Sequence, residues 1–119
     1  MGYFRIRPVA TGVKFDLHAA NGEIVATSEV YQTEAACRKG MESVRRNAPK
    51  AQTEDQTVGQ RCANPKFELY EDRAGRYRFR LKARNGSIIA VSEGYTGKAA
   101  CLDGIAALRL CILEEGEMP

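Results

Sequence analysis

The sequence predicts an α+β protein in which tandem βββα(β) repeats share one antiparallel sheet, with two helices packed on one face and pseudo-twofold symmetry. The main observation is an internal repeat, because residues 15–46 align without a gap onto residues 79–110, with 15 identities in 32 positions. Average composition would give about two identities by chance. Each copy is therefore one folding unit whose apolar face needs the other copy to cover it.

Short segments with alternating apolar and polar residues begin each copy. The apolar positions are Phe4, Ile6, Phe15, Leu17 and Ala19 in the first copy, and Phe67, Leu69, Tyr77, Phe79, Leu81 and Ala83 in the second. A period of two is typical of half-buried antiparallel strands. The sequence therefore predicts two strands at the start of each copy.

A turn and a third strand follow in both copies. Asn-Gly dipeptides at residues 21–22 and 85–86 take the backbone angles of a type I′ turn, and apolar residues flank both of them. The turns predict tight hairpins that lead into a third strand. Its inward side chains would be Ile24, Ala26, Ile88 and Ala90.

The pattern then changes to the period of a helix. One apolar stripe per copy is formed at positions i, i+3, i+4 and i+7 by Cys37, Gly40, Met41 and Val44, and by Cys101, Gly104, Ile105 and Leu108. Thr33 and Thr96 are the candidate N-caps. A glycine in mid-helix costs about 0.5–1 kcal/mol relative to alanine. Its presence in both copies indicates a close approach of each helix to the sheet.

These elements predict one domain over residues 1–119. The first repeat covers residues 1–47 and the second covers residues 66–113. A polar linker, residues 48–65, joins them, and its AQTEDQT segment allows a short strand. Residues 114–119 read as a frayed tail.

The chain also resembles a known family. The phrases AANGEIVATSEVY and TEAACRKGMESVRRNAP, with their second versions ARNGSIIAVSEGY and GKAACLDGIAALR, are similar to the YegP-like family of small duplicated bacterial proteins of unknown function. The resemblance implies a β3-α-β unit repeated in tandem, one shared sheet, and final strands open to exchange between the copies. The second copy lacks the NAP ending, and the resemblance implies no activity.

Composition narrows the class of protein. The chain has 119 residues and a formal net charge of +3, and it contains no apolar stretch near the roughly 20 residues of a membrane span. Its beginning lacks the apolar core of a signal peptide, so we expect a cytoplasmic protein with reduced thiols and no membrane partner. Cys37 and Cys101 are expected to be buried packing residues. With one histidine and no CxxC motif, we expect no metal and no cofactor.

The segments Ser28-Glu29-x-Tyr31 and Ser92-Glu93-x-Tyr95 are the most site-like residues, since they recur between strand and helix. A catalytic interpretation makes the glutamate a general base and the tyrosine a proton donor. A structural interpretation is favoured: the glutamate would interact with the free amides of the helix N-terminus, and the tyrosine would pack at the core edge. An enzyme is therefore the third functional hypothesis.

Basic residues mark the face of the sheet opposite the core. They alternate along the second strand of each copy and its neighbour, as Arg76, Arg78, Arg80, Lys82 and Arg84, and as Arg5, Arg7 and Lys14. We expect Asp16 to pair with Arg5, and Glu68 with Arg80. Apolar and aromatic residues expected on the same face are Val25, Tyr70, Ile89 and Val91. This mixture suits binding of single-stranded nucleic acid or another polyanion, but a solvated sheet face or a protein contact surface is the favoured interpretation.

The second helix carries an additional apolar stripe, formed by Leu102, Ala106, Leu110 and Leu113. This stripe is expected either under the linker or in contact with another protein chain. The leading functional hypothesis is a small binding or interaction module, acting as a monomer or a weak homodimer. Polyanion binding through Arg5, Arg7, Tyr70, Arg76, Arg78, Lys82 and Arg84 is the second.

Overall fold

The structure, a computed structural model, describes residues 2–114. Its strands are β1 (Tyr3–Val9), β2 (Gly12–His18), β3 (Ile24–Thr27), β4 (Gln52–Asp55), β5 (Lys66–Glu71), β6 (Tyr77–Lys82) and β7 (Ile88–Val91). Its helices are α1 (Glu34–Asn47) and α2 (Lys98–Glu114), with short 3-10 turns at Ala48–Lys50 and Gln56–Val58. The expected frayed tail lies outside the described residues, apart from Glu114.

All seven strands form one sheet in the order β1-β2-β3-β7-β6-β5-β4. The pairing of β3 with β7 joins the two repeats, and it is antiparallel. The prediction of a purely antiparallel sheet is wrong, because β4 runs parallel to β5. Residues 56–65 connect the two strands and return the chain to the end of the sheet where β4 began, so β5 runs in the same direction as β4 instead of turning back as in a hairpin. The sheet is therefore mixed.

Both helices lie against the same face of the sheet. Register partners cross the four central strands on the outer face in the order Asp16, Thr27, Val91 and Arg80. Side chains alternate along a strand, so Phe15 and Phe79 point to the inner face. There Gly40 of α1 approaches the ring of Phe15, and Gly104 of α2 approaches the ring of Phe79. One core joins the residues predicted for it: Phe15, Leu17, Met41, Val44, Phe79, Leu81, Ile105 and Leu108.

The Asn-Gly segments close hairpins, but the turns are not type I′. Only the glycine has a positive φ, +88° at Gly22 and +87° at Gly86, whereas type I′ needs positive values at two residues. The Gly22 amide donates to the Ala19 carbonyl at 2.8 Å, and the Ala19 amide donates to the Glu23 carbonyl. This is a type I turn followed by a left-handed glycine. Asn21 keeps its φ negative and accepts a hydrogen bond from the Glu23 amide through its side chain.

A β-bulge changes which side chains of β3 and β7 are buried. The register between β2 and β3 shifts after Leu17, so His18 stands opposite Ile24 and β3 carries one extra residue, Val25. Val25 and its counterpart Ile89 join the core, against the expectation of an outer position, while Ile24 is 42% exposed. An alternating pattern assigns every second residue to one face, and an inserted residue breaks that count.

The helix N-termini agree with the sequence in one copy. Thr33 Oγ1 accepts a hydrogen bond from the Ala36 amide, so Thr33 caps α1 as predicted. The prediction for Thr96 is wrong, because α2 begins at Lys98 and Gly97 occupies the position equivalent to Thr33. Glycine is an accepted N-cap residue, since it adopts the required backbone conformation without strain.

Each mid-helix glycine faces a tyrosine. A Cβ atom added at Gly40 would overlap the Tyr31 hydroxyl and lie 2.7 Å from Cζ, and one added at Gly104 would meet Tyr95 in the same way. Contacts that short are excluded by van der Waals repulsion. The expected close approach of helix to sheet is therefore confirmed, and the tyrosine ring is the group that leaves room only for glycine.

The linker binds the second repeat through α2. Arg109 donates hydrogen bonds to the carbonyls of Ala48 and Ala51, at 3.3 and 2.6 Å, and to Thr53 Oγ1 at 3.2 Å. At the end of α1, Asn47 Oδ1 accepts a hydrogen bond from the Arg84 amide at 3.1 Å. The strand expected in the linker is therefore present as β4, and contacts with the second repeat hold its beginning.

Replacing Gly40 by alanine tests the contact with Tyr31. We expect the free energy of unfolding to fall by about 1–2 kcal/mol, because overpacking against the ring outweighs the better helix propensity of alanine. Urea unfolding of the Gly40→Ala, Tyr31→Ala and double variants gives the coupling energy. If Gly40→Ala costs as much without the tyrosine ring as with it, the steric explanation is wrong.

Changing Cys37 and Cys101 to alanine together should lower the free energy of unfolding by about 1–2 kcal/mol, through lost packing alone. Both thiols are fully buried and free, and burial raises the pKa of Cys37 and raises that of Cys101 to about 11. Urea unfolding measures the change. A disulfide found by mass measurement on the intact protein would contradict this assignment.

Candidate binding surfaces and the repeated SExY segments

The serines of the SExY segments are structural. Ser28 Oγ accepts a hydrogen bond from the Phe15 amide at 2.9 Å and donates one to the Glu29 carbonyl at 2.7 Å. Ser92 makes the same two bonds, with the Phe79 amide and the Glu93 carbonyl. Each buried hydroxyl therefore continues the sheet pairing at the point where the third strand ends.

The tyrosines are equally committed to packing. The amide and carbonyl of Tyr31 exchange hydrogen bonds with Val13 at 2.7 and 2.9 Å, and Tyr95 pairs with Tyr77 in the same manner. Burial raises the pKa of both phenols. Glu29 is exposed, so the three side chains do not converge on one point. The structural interpretation of the segments therefore accounts for the serine and the tyrosine, while the glutamate lies in solvent rather than at the cap, which Thr33 provides.

On the outer face of the second repeat, cations surround one buried carboxylate. Glu68 is 4% exposed and lies 2.6 Å from Arg80 Nε, 3.4 Å from Lys66 Nζ and 3.5 Å from Lys82 Nζ. Burial alone would raise the pKa of Glu68, but Arg80 and the other cations lower it overall. The expected pairing of Glu68 with Arg80 is confirmed. Part of the basic row is therefore neutralised within the sheet.

A second buried carboxylate, Glu54 of β4, stands beside Glu68 and lines a cleft of about 390 Å³. Its oxygens accept hydrogen bonds from Lys66 Nζ, the Cys62 amide and Gln56 Nε2, each at 2.8 Å. These bonds, with that from Lys66 the largest, lower the pKa of Glu54 to about 2. A group with so low a pKa is a poor general base near neutral pH. Glu54 lay in the linker, and no pattern in the sequence indicated it.

The row of cations expected along β6 is shorter than predicted. Arg76 lies just before β6, and Arg84 lies just after it. Arg78 Nε is 2.7 Å from Asp72 Oδ2. The Arg80 guanidinium lies 4.6 Å from the centroid of the Tyr70 ring, so one face of the ring is already covered. The outer face of the second repeat therefore offers less charge and less aromatic surface than the sequence suggested.

In the first repeat the predicted ion pair moves to a neighbouring arginine. Arg5 stands opposite Asp16 in the register, as expected, but the carboxylate lies 2.6 Å from Arg7 Nε instead. Thr27 also donates to Asp16, at 2.7 Å. Burial opposes ionisation of Asp16, and the bonds from Arg7 and Thr27 overcome it to lower the pKa. Within residues 2–114, no ion pair involves Arg5 or Lys14.

The apolar stripe of α2 is exposed. Leu102, Leu110 and Leu113 are 42%, 53% and 76% accessible to solvent, and Ala106 is exposed between them. The linker does not cover this stripe, because Arg109 holds the linker at a different side of the helix. Of the two alternatives, the one that places the stripe under the linker is therefore wrong.

A groove of about 470 Å³ runs between the outer edge of β1 and α1. Phe4, Ile6 and Met41 form its apolar floor, and its charged lining consists of Arg38, Lys39, Glu42 and Arg45. No pattern in the sequence indicates this groove, because it forms where a strand and a helix meet. The outer edge of β1 pairs with no other strand among residues 2–114.

Residues 2–114 hold neither a cluster of metal-binding side chains nor a helix able to cross a membrane. No group of three or more His, Cys, Asp or Glu side chains within residues 2–114 is arranged to hold a metal ion. No helix in the described part of the chain is long and apolar enough to cross a membrane.

Lowering the pH should show how much the ionised Glu54 side chain contributes to the stability of the fold. Its pKa is about 2 in the folded protein and 4.5 ordinarily, so the unfolded chain takes up the proton first as the pH falls. The stability that the ionised group contributes is complete above pH 4.5 and is lost towards pH 2. Urea unfolding should therefore show a smaller acid loss for Glu54→Gln than for the wild type. The exposed control Glu71→Gln should keep the wild-type dependence, and identical curves for Glu54→Gln and wild type would contradict the assignment.

The chain matches known proteins over most of its length. A family model described as a domain of unknown function (DUF1508) matches residues 10–55 and 72–112. The UPF0339 protein plu2779 of Photorhabdus laumondii is 41% identical over 91 residues, which cover 76% of this chain and 68% of the relative. The UPF0339 protein YegP of Yersinia pestis is 32% identical over 109 residues, which cover 91% and 86%.

A solved structure agrees with the fold. The solution NMR structure of YegP from E. coli, a protein of unknown function, superposes with a TM-score of 0.76 at 30% identity, and the match covers 96% of this chain and 88% of that one. The resemblance found in the sequence is thereby confirmed. The chain belongs to the YegP-like, UPF0339 family of unknown function, whose domain model is DUF1508.

Proposed function

We propose that this protein works by binding an extended polypeptide segment and does not catalyse a reaction. The observation that supports the proposal is the open edge of β1 beside the groove over Phe4, Ile6 and Met41. An open edge presents a row of backbone donors and acceptors, and partner proteins use such rows by adding a strand. The proposal gives a candidate surface to the leading hypothesis from the sequence, a small interaction module.

The side chains that a catalytic site would need have structural roles instead, which supports the same proposal. Ser28, Tyr31 and Glu54 are each held by structural hydrogen bonds or packing, as described above. The buried thiols have raised pKa values and so little thiolate to act as nucleophile. A cytoplasmic location and a monomeric or weakly dimeric state remain predictions of the sequence.

Polyanion binding is the second candidate, favoured by the positive charge of the outer face. Of the basic residues predicted for this face, Arg5, Lys14, Arg76 and Arg84 take part in no ion pair within residues 2–114, so they are the cations most available to phosphate. Arg78 and Lys82 have acidic partners, which a phosphate would have to displace. The surface proposed for this activity therefore moves from the middle of β6 towards Arg5 and Lys14.

Two titrations separate the candidates. We expect the protein to bind a peptide with the sequence of residues 48–58, which contains β4, and to bind a labelled single-stranded oligonucleotide only at low salt. Phosphate contacts release counterions and weaken steeply with salt, whereas backbone pairing does not. Fluorescence anisotropy at low and moderate salt measures both.

The control is the Arg5→Gln, Lys14→Gln, Arg84→Gln variant. Oligonucleotide binding that persists at moderate salt and disappears in this variant would favour the polyanion candidate. Failure of the peptide to bind at any salt concentration would contradict the lead proposal.

A further inference from the structure

We infer that the segment bound at β1 is an acidic stretch of a partner protein, added as a strand parallel to β1. The inference rests on the proposed function and specifies the chemistry and direction of the ligand. Its basis is that the second repeat already holds such a strand, β4, at the equivalent edge.

The register identifies β1 as the counterpart of β5. In the second repeat Phe67 of β5 stands opposite Leu81, with Thr53 of β4 on its other side. In the first repeat Phe4 of β1 stands opposite Leu17, the equivalent of Leu81 in the internal alignment. A strand added to the open edge of β1 would therefore have one residue beside Phe4, in the position that Thr53 occupies beside Phe67.

Backbone groups of Phe4 and Ile6 point towards that place. On β2, the carbonyl of Phe15 accepts from the Ser28 amide, and its amide donates to Ser28 Oγ, both on the side away from β1. In an antiparallel pair, the residue opposite Phe15 then also turns its backbone groups outward. That residue is Ile6, and Phe4 follows by alternation. Pro8, next in the alternation, has no amide hydrogen and limits the pairing at this end.

An arginine at the same helical position stands over each edge and indicates the direction of the strand. The Arg109 guanidinium lies 4.7 Å from the centroid of the Phe67 ring and holds the carbonyls of the segment that leads into β4. The Arg45 guanidinium lies 4.8 Å from the centroid of the Phe4 ring. Arg45 is also engaged with Glu42. In the second repeat, the residues held by Arg109 come just before β4, and β4 runs parallel to β5. A partner segment whose chain passes Arg45 first and then pairs with β1 would likewise run parallel to β1.

Charge specifies a carboxylate in the added strand. Glu54 of β4 stands beside Glu68, and Lys66, 2.8 and 3.4 Å from the two carboxylates, relieves their repulsion. The residue of β1 equivalent to Glu68 is Arg5, which is exposed. A carboxylate in the place of Glu54 would therefore meet a cation directly. In the groove, Arg38 and Arg45 have acidic partners in Glu34 and Glu42, and Lys39 adds a further positive charge.

A second copy of this chain fits the edge less well. Antiparallel pairing of β1 with β1 of another copy would place Arg5 and Arg7 against the same arginines. Like charges directly opposite one another destabilise a strand pair. Charge complementarity therefore favours a different protein that supplies an acidic strand.

The test uses the full chain, labelled with ¹⁵N, and the peptide of residues 48–58. We expect the largest amide shifts at residues 3–7, and slower hydrogen exchange of the Phe4 and Ile6 amides when the peptide is bound. A spin label on the peptide N-terminus should broaden resonances near Tyr3 rather than near Val9. The peptide carrying Glu54→Lys should bind about threefold to tenfold more weakly, and Arg5→Glu in the protein should reverse that preference.

Arg73→Glu, an exposed change in the turn between β5 and β6, is the matched control and should leave both affinities unchanged. No peptide binding by the wild type would remove the proposed function itself. Binding at β1 with an affinity that the charge reversals do not change would overturn only the acidic character of the ligand. Broadening near Val9 would overturn only its parallel direction. Binding that appears only after removal of residues 115–119 would make that segment the occupant and overturn the assignment to a partner.

Discussion

The contact of a tyrosine ring with a helical glycine sets the distance between helix and sheet in both repeats. Tyr31 is fixed at its backbone by Val13 of β2, so its ring cannot retreat when α1 packs over it. Only a residue without a side chain leaves room above the ring, and Gly40 supplies it. Ser28, three residues before the tyrosine, continues the pairing with β2. The SExY segment and the glycine therefore act as one packing device.

The sequence predicted the elements whose pattern is local. Period-two alternation located β1, β2, β5 and β6, and the apolar stripe of each helix located the core side of Met41 and Ile105. The bulge at Val25 escaped prediction because it changes the count of residues without changing their types. The direction of β4 escaped prediction because it depends on the return path of residues 56–65, and a four-residue polar strand has no pattern that identifies its neighbour.

Charges on the outer face show the same limit of local patterns. The alternating cations of β6 were visible in the sequence, and so was the pairing of Arg80 with Glu68. The carboxylates that neutralise other cations come from elsewhere, Glu54 from the linker and Asp72 from a turn. A strand-by-strand count therefore overstated the charge of this face. The groove at β1 also depends on the relative position of a helix and a strand, and the sequence alone did not locate it.

The hydrogen bond between Asn47 and the Arg84 amide has a consequence for synthesis of the chain. The end of α1 rests on a hairpin that leaves the ribosome tens of residues later, and β3 gains its second neighbour, β7, just as late. Until then the first repeat exposes apolar surface that has no cover of its own. Contacts between residues far apart in the chain slow folding. The packing of the nascent first repeat must therefore remain unfinished until the strands of the second repeat have been made.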